Sequence, residues 1–461
     1  MQNTQLTYSP IDGSLYVERP LADRAQIQQA ITSAARAQKQ WRQTGIAHRA
    51  AICSAMLECF LARSDEIAEQ LCWMMGRPIR YARGEVNGTA DRARYMIEIA
   101  EQALADIRLP EKDEIRCYIK REPLGLVYVI APWNYPYLTA INTVVPALMA
   151  GNGVLLKHAP QTPLCAEQLV ESFREAGLPD GLFQFLHLSS DNAQWLAQQA
   201  QIDHVAFTGS VATGRKVEQA LAGRFTGLGL ELGGKDPAYI RADADLGRAV
   251  ETVIDGAMFN SGQSCCSIER IYVHRDLYPA FIDRAVNLVK HYRLGRPDDP
   301  ETTLGPMVSA GAADLVRAQI AEALAAGAEP LVDPALFPLE KPGSPYMAPQ
   351  LLVNVNHKML VMREESFAPL AGIMPVDDDR QAIQLMNDSE FGLSAAVFSR
   401  DLNAAEAIGQ QLETGTFFVN RCDYLEPGLA WTGVKNSGRG CSLSSLGYGQ
   451  LTRPKSFHIR P

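Results

Sequence analysis

Residues 124–163 read LGLVYVIAPWNYPYLTAINTVVPALMAGNGVLLKHAPQTP. The apolar run at 126–131 has the length of a buried strand, 139–149 has the length of a helix, and 154–157 is a second apolar run. Working outward, the same alternation continues. Short apolar runs recur at 183–186, 204–207 and 227–232, separated by segments of helical length at 163–176, 192–199 and 210–222. Strand, helix, strand in repetition implies right-handed crossovers and a parallel sheet covered on both faces. Upstream, 21–108 reads as mostly helical, with apolar residues at helical spacing such as Ala50, Ile52, Ala55, Met56, Cys59 and Phe60. Pro78, two residues after Gly76, marks a helix stop. Downstream of Gly234 the alternation begins afresh. Helices are predicted at 246–259 and 277–292, and strands at 268–273, 351–355, 371–376, 395–399 and 416–419. Residues 330–349 carry six prolines and read as a loop. Two α/β units joined near residue 235 is the simplest organisation.

Composition narrows the class. The chain has 461 residues, enough for two or three domains. Its 43 basic and 52 acidic residues give a net charge of −9, which argues against a nucleic-acid-binding surface. The most apolar stretch, 124–133, is about ten residues long, against the ~20 that a membrane-spanning helix needs. The N-terminal residues MQNTQLTYSPIDG lack the basic-then-apolar pattern of a signal peptide. Nine cysteines at irregular spacing fit reduced cytoplasmic thiols better than a disulfide framework. No Cys/His spacing matches a metal site, and the G-x-S-x-G elbow of serine hydrolases is absent.

Five segments carry candidate chemistry, and the residues alone leave two readings of each. In FNSGQSCCSIER, 259–270, Cys265 follows a helix and a glycine turn, where a thiol escapes burial and becomes a nucleophile; the alternative is a buried small hydrophobe. Its neighbour Cys266 points the other way in extended chain, so one of the pair is expected to be buried and inert. In LELGGKDP, 230–237, Glu231 at a strand end suits a general base, or else pairs with a lysine such as Lys235. In FTGSVATG, 207–214, a Gly-Ser turn opens a helix whose N-terminus suits a pyrophosphate, unless Ser210 is merely a cap. In APWNYP, 131–136, the Asn134 amide can serve a developing oxyanion or its own turn. In MREESFAP, 362–369, Glu364 and Glu365 read on their own as a solvated pair.

Together, and in this order, APWNYP, LLKHAP, FTGSVATG, LELGGK, FNSGQSCC, EESFAP and WTGVKNSGRG resemble the aldehyde dehydrogenase superfamily across nearly the whole chain. The resemblance implies an α/β fold with three parts. A Rossmann-like dinucleotide-binding domain takes 1–108 and 125–234, an α/β catalytic domain takes 235–446, and a small β oligomerisation flap takes 109–124 and 447–461. It implies that Cys265 attacks an aldehyde to give a thiohemiacetal, Asn134 holds the oxyanion, hydride passes to NAD(P)+, and Glu231 activates the water that hydrolyses the thioester. For the cofactor, the resemblance assigns Lys157 and the position of Pro160 to the adenosine ribose. Gly209 and Ser210 go to the pyrophosphate, and Glu365 and Phe367 to the nicotinamide ribose. Trp133, Gly214, Leu232 and Gly233 are further cofactor contacts. It also implies a homodimer or homotetramer of the compact bacterial type, without a leader and cytoplasmic.

The sequence departs from the family at three places. His158, Ala159 and Pro160 stand where Pro-Ser-Glu is frequent, which removes the acid that favours NAD over NADP. No second basic residue lies in 158–163, so the expectation is NAD, with NADP possible. Gly440, Cys441 and Ser442 stand where Gly-Arg-Glu is frequent, which removes one proton-relay acid. Ala430, Trp431, Thr432 and Gly433 replace the usual Pro-Phe-Gly-Gly. The substrate tunnel is expected to be walled by Tyr135, Thr139, Asn142, Leu425 and Trp431, with Asp423 and Glu426 able to welcome a cationic amino-aldehyde at the mouth. A CoA-acylating relative would not need Glu231, and a non-enzymatic crystallin-like protein would not need Cys265.

Overall fold

The computed structural model describes residues 4–110 and 115–460. Residues 111–114 of the expected flap, and the terminal residues 1–3 and 461, lie outside the described residues. A six-stranded sheet forms the first unit, in the spatial order Gly438–Arg439, Gly227–Glu231, Ile202–Thr208, Leu126–Ala131, Gly153–His158, Phe183–Phe185. All neighbours are parallel except Gly438–Arg439, which closes one edge antiparallel. Every residue of Leu126–Ala131 is buried, as a strand covered on both faces must be. Its side chains alternate between two cores. Val127, Val129 and Ala131 join one cluster with the helices Ile46–Leu61, Ile79–Glu98 and Pro136–Met149. Leu126, Tyr128 and Ile130 join the other, with Ile27, Ile31 and Ala34 of the helix Arg24–Trp41.

The chain moves from Leu126–Ala131 to one side of the sheet and then crosses back to place Ile202–Thr208 on the other side. The connections that leave the C-terminal ends of these two paired strands therefore head to opposite sides, which opens the crevice where α/β sheets bind ligands. Trp133 and Asn134 leave from one strand end, and Gly209 and Ser210 from the other.

The second unit is a seven-stranded sheet in the order Glu329–Pro330, Gln350–Val353, Leu370–Val376, Ile268–His274, Asp236–Ile240, Ser394–Phe398, Thr416–Val419. Only Glu329–Pro330 runs antiparallel to its neighbour. A third sheet pairs Arg116–Pro123 with Thr452–Ile459 along eight residues, and Ile107–Arg108 adds a short third strand. Tyr118 and Phe457 stack across it at 4.6 Å. Two short strands thus cross the divisions expected from sequence: 107–108 joins the three-stranded sheet, and 438–439 joins the first sheet. Among the described residues no helix is long and apolar enough to cross a membrane.

The edge strand depends on one glycine. Gly438 has φ of 125°, and a Cβ there would lie 2.0 Å from the Leu230 carbonyl oxygen. Gly438→Ala is therefore expected to cost about 2 kcal/mol or more of stability, read as a lower denaturation midpoint. An unchanged midpoint would show that this edge relaxes freely.

Candidate active site

Arg77 organises the floor of the crevice. It is buried, ion-paired with the equally buried Glu85, and donates from Nη2 to the Asn134 carbonyl at 2.6 Å and from Nε to Asn260 Oδ1 at 3.2 Å. Its guanidinium lies over the Tyr135 ring at 4.5 Å. Burial lowers its pKa to about 10, so it stays charged at neutral pH. Glu85 in turn accepts the Tyr137 N–H at 2.9 Å, at the N-terminus of Pro136–Met149, where a carboxylate suits the helix dipole.

The Cys265 loop is shaped by three successive left-handed residues, Asn260, Ser261 and Gly262, with φ of 53°, 56° and 67°. Only glycine fits the third, since a Cβ on Gly262 would meet the Ala368 carbonyl oxygen at 1.9 Å. Gln263 locks the turn by donating to the Asn260 carbonyl at 3.1 Å and accepting the Val308 N–H at 2.7 Å. The Asn134 side-chain amide donates to the Gln263 carbonyl at 3.1 Å, which ties it to the loop that carries Cys265. Cys265 is half-buried and faces a cavity; Cys266 is buried, and its thiol donates to Asp423 Oδ1 at 3.0 Å. Burial and the neighbouring Cys265 and Asp423 push the Cys266 pKa well up.

That cavity has a volume of about 400 Å³. Cys265, Glu231, Tyr135, Thr139, Asn142, Leu425 and Trp431 all line it. Glu231 does not pair with Lys235. Its two oxygens accept the Thr208 hydroxyl at 3.0 Å and the Ser442 hydroxyl at 2.5 Å. Burial raises its pKa, and those two donors and the charge of Arg92 oppose the rise. Lys235 instead forms a buried ion pair with Glu269, and its ammonium reaches Ser366 Oγ at 3.0 Å. Glu269 accepts the Ser366 and Phe367 N–H groups at 2.8 and 2.9 Å, which fixes the 365–367 segment. Phe367 meets Trp133 edge-on at 5.6 Å.

A second cleft, of about 990 Å³, runs from Ser210 at the start of the helix Val211–Ala220 to Glu365. Of the residues expected to hold the cofactor, Ser210 and Glu365 line it, and the surroundings fit a dinucleotide. A ten-residue helix presents its N-terminus there. Gly233 brings the backbone so close that a Cβ would lie 2.3 Å from the Glu365 carboxylate, and Gly214 packs on Leu232. Burial and Glu269 raise the Glu365 pKa to about 8, and it accepts the Gly234 N–H at 3.2 Å. Lys157, the penultimate residue of the strand Gly153–His158, has its pKa lowered to about 8 by burial. Pro160 lies just beyond, where its carbonyl accepts the Thr7 hydroxyl of the N-terminal hairpin at 2.7 Å.

Sequence reasoning missed Thr208 and Arg92 as cavity residues. Arg92 lies at helical spacing from Gly84 and Gly88, but the surrounding run ADRARYMIE hides which charge faces inward.

The aldehyde dehydrogenase family model matches residues 1–457. Succinate semialdehyde dehydrogenase [NAD(P)+] Sad of Escherichia coli is 34% identical over 96% of this chain and 95% of its own length. Betaine aldehyde dehydrogenase 2 of Rhizobium meliloti is 33% identical over 98% of this chain and 94% of its own. The solved structure of Gox0499, described for its selection of cofactor and substrate, superposes with a TM-score of 0.95 at 34% identity over 99% of this chain and 100% of that one. The chain belongs to the aldehyde dehydrogenase family. Its activity is the NAD(P)-dependent oxidation of an aldehyde to the carboxylic acid, and the CoA-acylating and crystallin-like readings give way to it.

The Glu231 contacts fix the sign of a pH effect. Ser442 donates to the ionised carboxylate, so Ser442→Ala raises the Glu231 pKa and leaves less base at any given pH. The acid limb of the turnover profile is expected to move to higher pH. A limb that stays in place or moves down would separate Ser442 from the base.

Proposed function

We propose that Cys265 is the nucleophile, Glu231 the general base and Asn134 the oxyanion donor of this oxidation. One observation carries the assignment: Cys265 and Glu231 share one cavity at the sheet's switch point, and the Asn134 amide is tied to the Cys265 loop. The Cys265 thiolate bonds through Sγ to the aldehyde carbon, the C=O π pair moves to oxygen, and the carbonyl oxygen becomes an oxyanion. Asn134 Nδ2 has two N–H groups, of which one serves Gln263; the second, with the Cys265 N–H, holds the oxyanion. NAD(P)+, when bound, supplies the acceptor for the hydride that leaves this carbon, so that the acyl group remains on sulfur as a thioester. Glu231 takes a proton from water, the hydroxide adds to the thioester carbon, and collapse expels the Cys265 thiolate with the acid.

Ser210 and Gly209 would hold the pyrophosphate, Lys157 the adenosine ribose, and Glu365 with Phe367 the nicotinamide ribose. Trp133, Gly214, Leu232 and Gly233 would complete those walls. The three-stranded sheet supports a homodimer or homotetramer, and the reduced-thiol composition supports a cytoplasmic enzyme. The three sheets support the division into nucleotide-binding, catalytic and flap portions, except that 107–108 and 438–439 pair across it.

Cys265→Ala is expected to abolish NAD(P)H formation while cofactor binding, followed by fluorescence, persists. Glu231→Gln is expected to keep a rapid burst of reduced cofactor and then turn over slowly. If Cys266→Ala is the dead variant and Cys265→Ala is active, the nucleophile is misassigned. If burst and steady state slow equally, Glu231 acts before the thioester.

Pro160 offers the ribose neither a hydrogen bond nor a repelling charge, which supports NAD with appreciable NADP use. Pro160→Glu is expected to move the NAD-to-NADP ratio of kcat/KM toward NAD by about tenfold, worth ~1.4 kcal/mol. An unmoved ratio would place the 2′-position elsewhere.

A further inference from the structure

The helix Ile79–Glu98 turns one face to the substrate cavity, at Gly84, Gly88, Asp91 and Arg92, the spacing of a single helical stripe. Gly84 leaves space on that face, where a Cβ would meet nothing within 4 Å, and Gly88 packs close on Leu138, whose Cδ2 a Cβ would meet at 3.2 Å. The Arg92 side chain lines the same cavity. Its Nη1 donates to the Leu138 carbonyl at 3.0 Å and to Asn142 Oδ1 at 3.2 Å, both neutral acceptors. Among the described residues its Nε and Nη2 have no protein acceptor, and no carboxylate pairs with it.

Asn142 adds a second, independent feature. It is 2% exposed, and its Nδ2 is buried without a hydrogen-bond partner. Because Arg92 can only donate, it holds Asn142 Oδ1 toward itself and leaves the amide's donor end free. A forked cation and an orphaned amide donor thus line one cavity. A buried donor without an acceptor is costly, so such a pair fits a ligand that brings oxygens. A hydrocarbon tail or an ammonium supplies no acceptors, whereas a carboxylate supplies two in the plane a guanidinium matches.

The acidic residues around the cavity do not reverse this. Asp423 is taken by Ser264 at 2.7 Å and by Cys266, Asp91 pairs with Arg94 at 2.9 Å, and Glu426 is exposed. Glu231 is held by Thr208 and Ser442.

We propose that Arg92 and Asn142 form a carboxylate-recognition site, and that the substrate is an aldehyde carrying a carboxylate at the end remote from the reacting carbonyl. This rests on the reading that Cys265 takes the aldehyde in this cavity. It assigns the opposite sign to the amino-aldehyde preference expected from Asp423 and Glu426.

The test is kcat/KM with NAD for three linear aldehydes of matched length, ending in a carboxylate, its methyl ester and a trimethylammonium group. The wild-type enzyme is expected to prefer the carboxylate by about tenfold or more. Arg92→Gln should lower the carboxylate-to-ester ratio on the order of 30-fold, chiefly through KM, as loss of one partner of a desolvated charge pair does. Arg92→Lys should restore part of the ratio, and Asn142→Ala should lower it about threefold or more. Thermal melts establish that each variant is folded; should Arg92→Gln not fold, the wild-type preference and Asn142→Ala decide. Equal efficiency on the three aldehydes, preference for the cation, or equal loss on all three in the variants would overturn the carboxylate site and leave aldehyde oxidation standing. No cofactor reduction with any of the three would overturn the oxidation reading, and the site with it.

Discussion

The buried Arg77–Glu85 pair is the constraint on which the site depends. Arg77 holds the backbone of Asn134 and the side chain of Asn260, while Glu85 takes the first free N–H groups of Pro136–Met149. Asn134, the Cys265 turn, the wall that carries Thr139 and Asn142, and the helix that carries Arg92 therefore meet at one ion pair. Taking both charges out of water costs several kcal/mol each, and mutual attraction recovers that only when the remaining hydrogen bonds are made. Here they are made, and to groups whose positions decide the chemistry. Loss of either partner would leave a bare charge in the interior and release three segments at once.

A second buried pair, Lys235–Glu269, does the same for the cofactor cleft. Glu269 collects the N–H groups of Ser366 and Phe367, and Lys235 adds the Ser366 hydroxyl, so a loop with no strand partner of its own is fixed against the sheet end. The close packing of Gly233 against Glu365 follows from that placement. The two sheets supply rigid ends, and the ion pairs set the loops between them to the precision that bond-making needs.

The scaffold was legible because its strands are buried on both faces. LVYVIA has no polar residue to blur its limits, and the strand spans Leu126–Ala131 as read. Thr416–Val419 also matches. The strand Asp236–Ile240 was not read, since its Asp-Pro start resembles a turn; the Asp236 carboxylate is buried and satisfied by the Ser394 N–H and hydroxyl, a contact 158 residues away. Helices Ala310–Ala325, Asp379–Asn387 and Leu402–Gly409 also went unread, and the first buries only three residues, too few for an apolar stripe to stand out. Within the site, local motifs marked Cys265, Glu231 and Asn134. Arg92 and Thr208 were not marked, because what brings them to the cavity is tertiary packing rather than any pattern near them in sequence.

The change at 442 has a chemical consequence that the motif alone did not give. A carboxylic acid beside Glu231 would compete with it for one proton, and two such groups in one buried site split their pKa values apart. A serine hydroxyl can only donate to a carboxylate, and it stabilises the ionised form. Ser442 at 2.5 Å, with Thr208 on the other oxygen, therefore biases Glu231 toward the base despite burial that favours the neutral acid. Glu231 also lines a small cavity of about 30 Å³ on the side of Ser442 and Thr208, with room for one or two waters and polar neighbours to hold them. The carboxylate thus borders both the substrate cavity and a polar pocket behind it. With a serine at 442, the Glu231 carboxylate has its ionised form favoured and a pocket of water-holding size behind it, two properties that suit a proton acceptor in a largely apolar cavity.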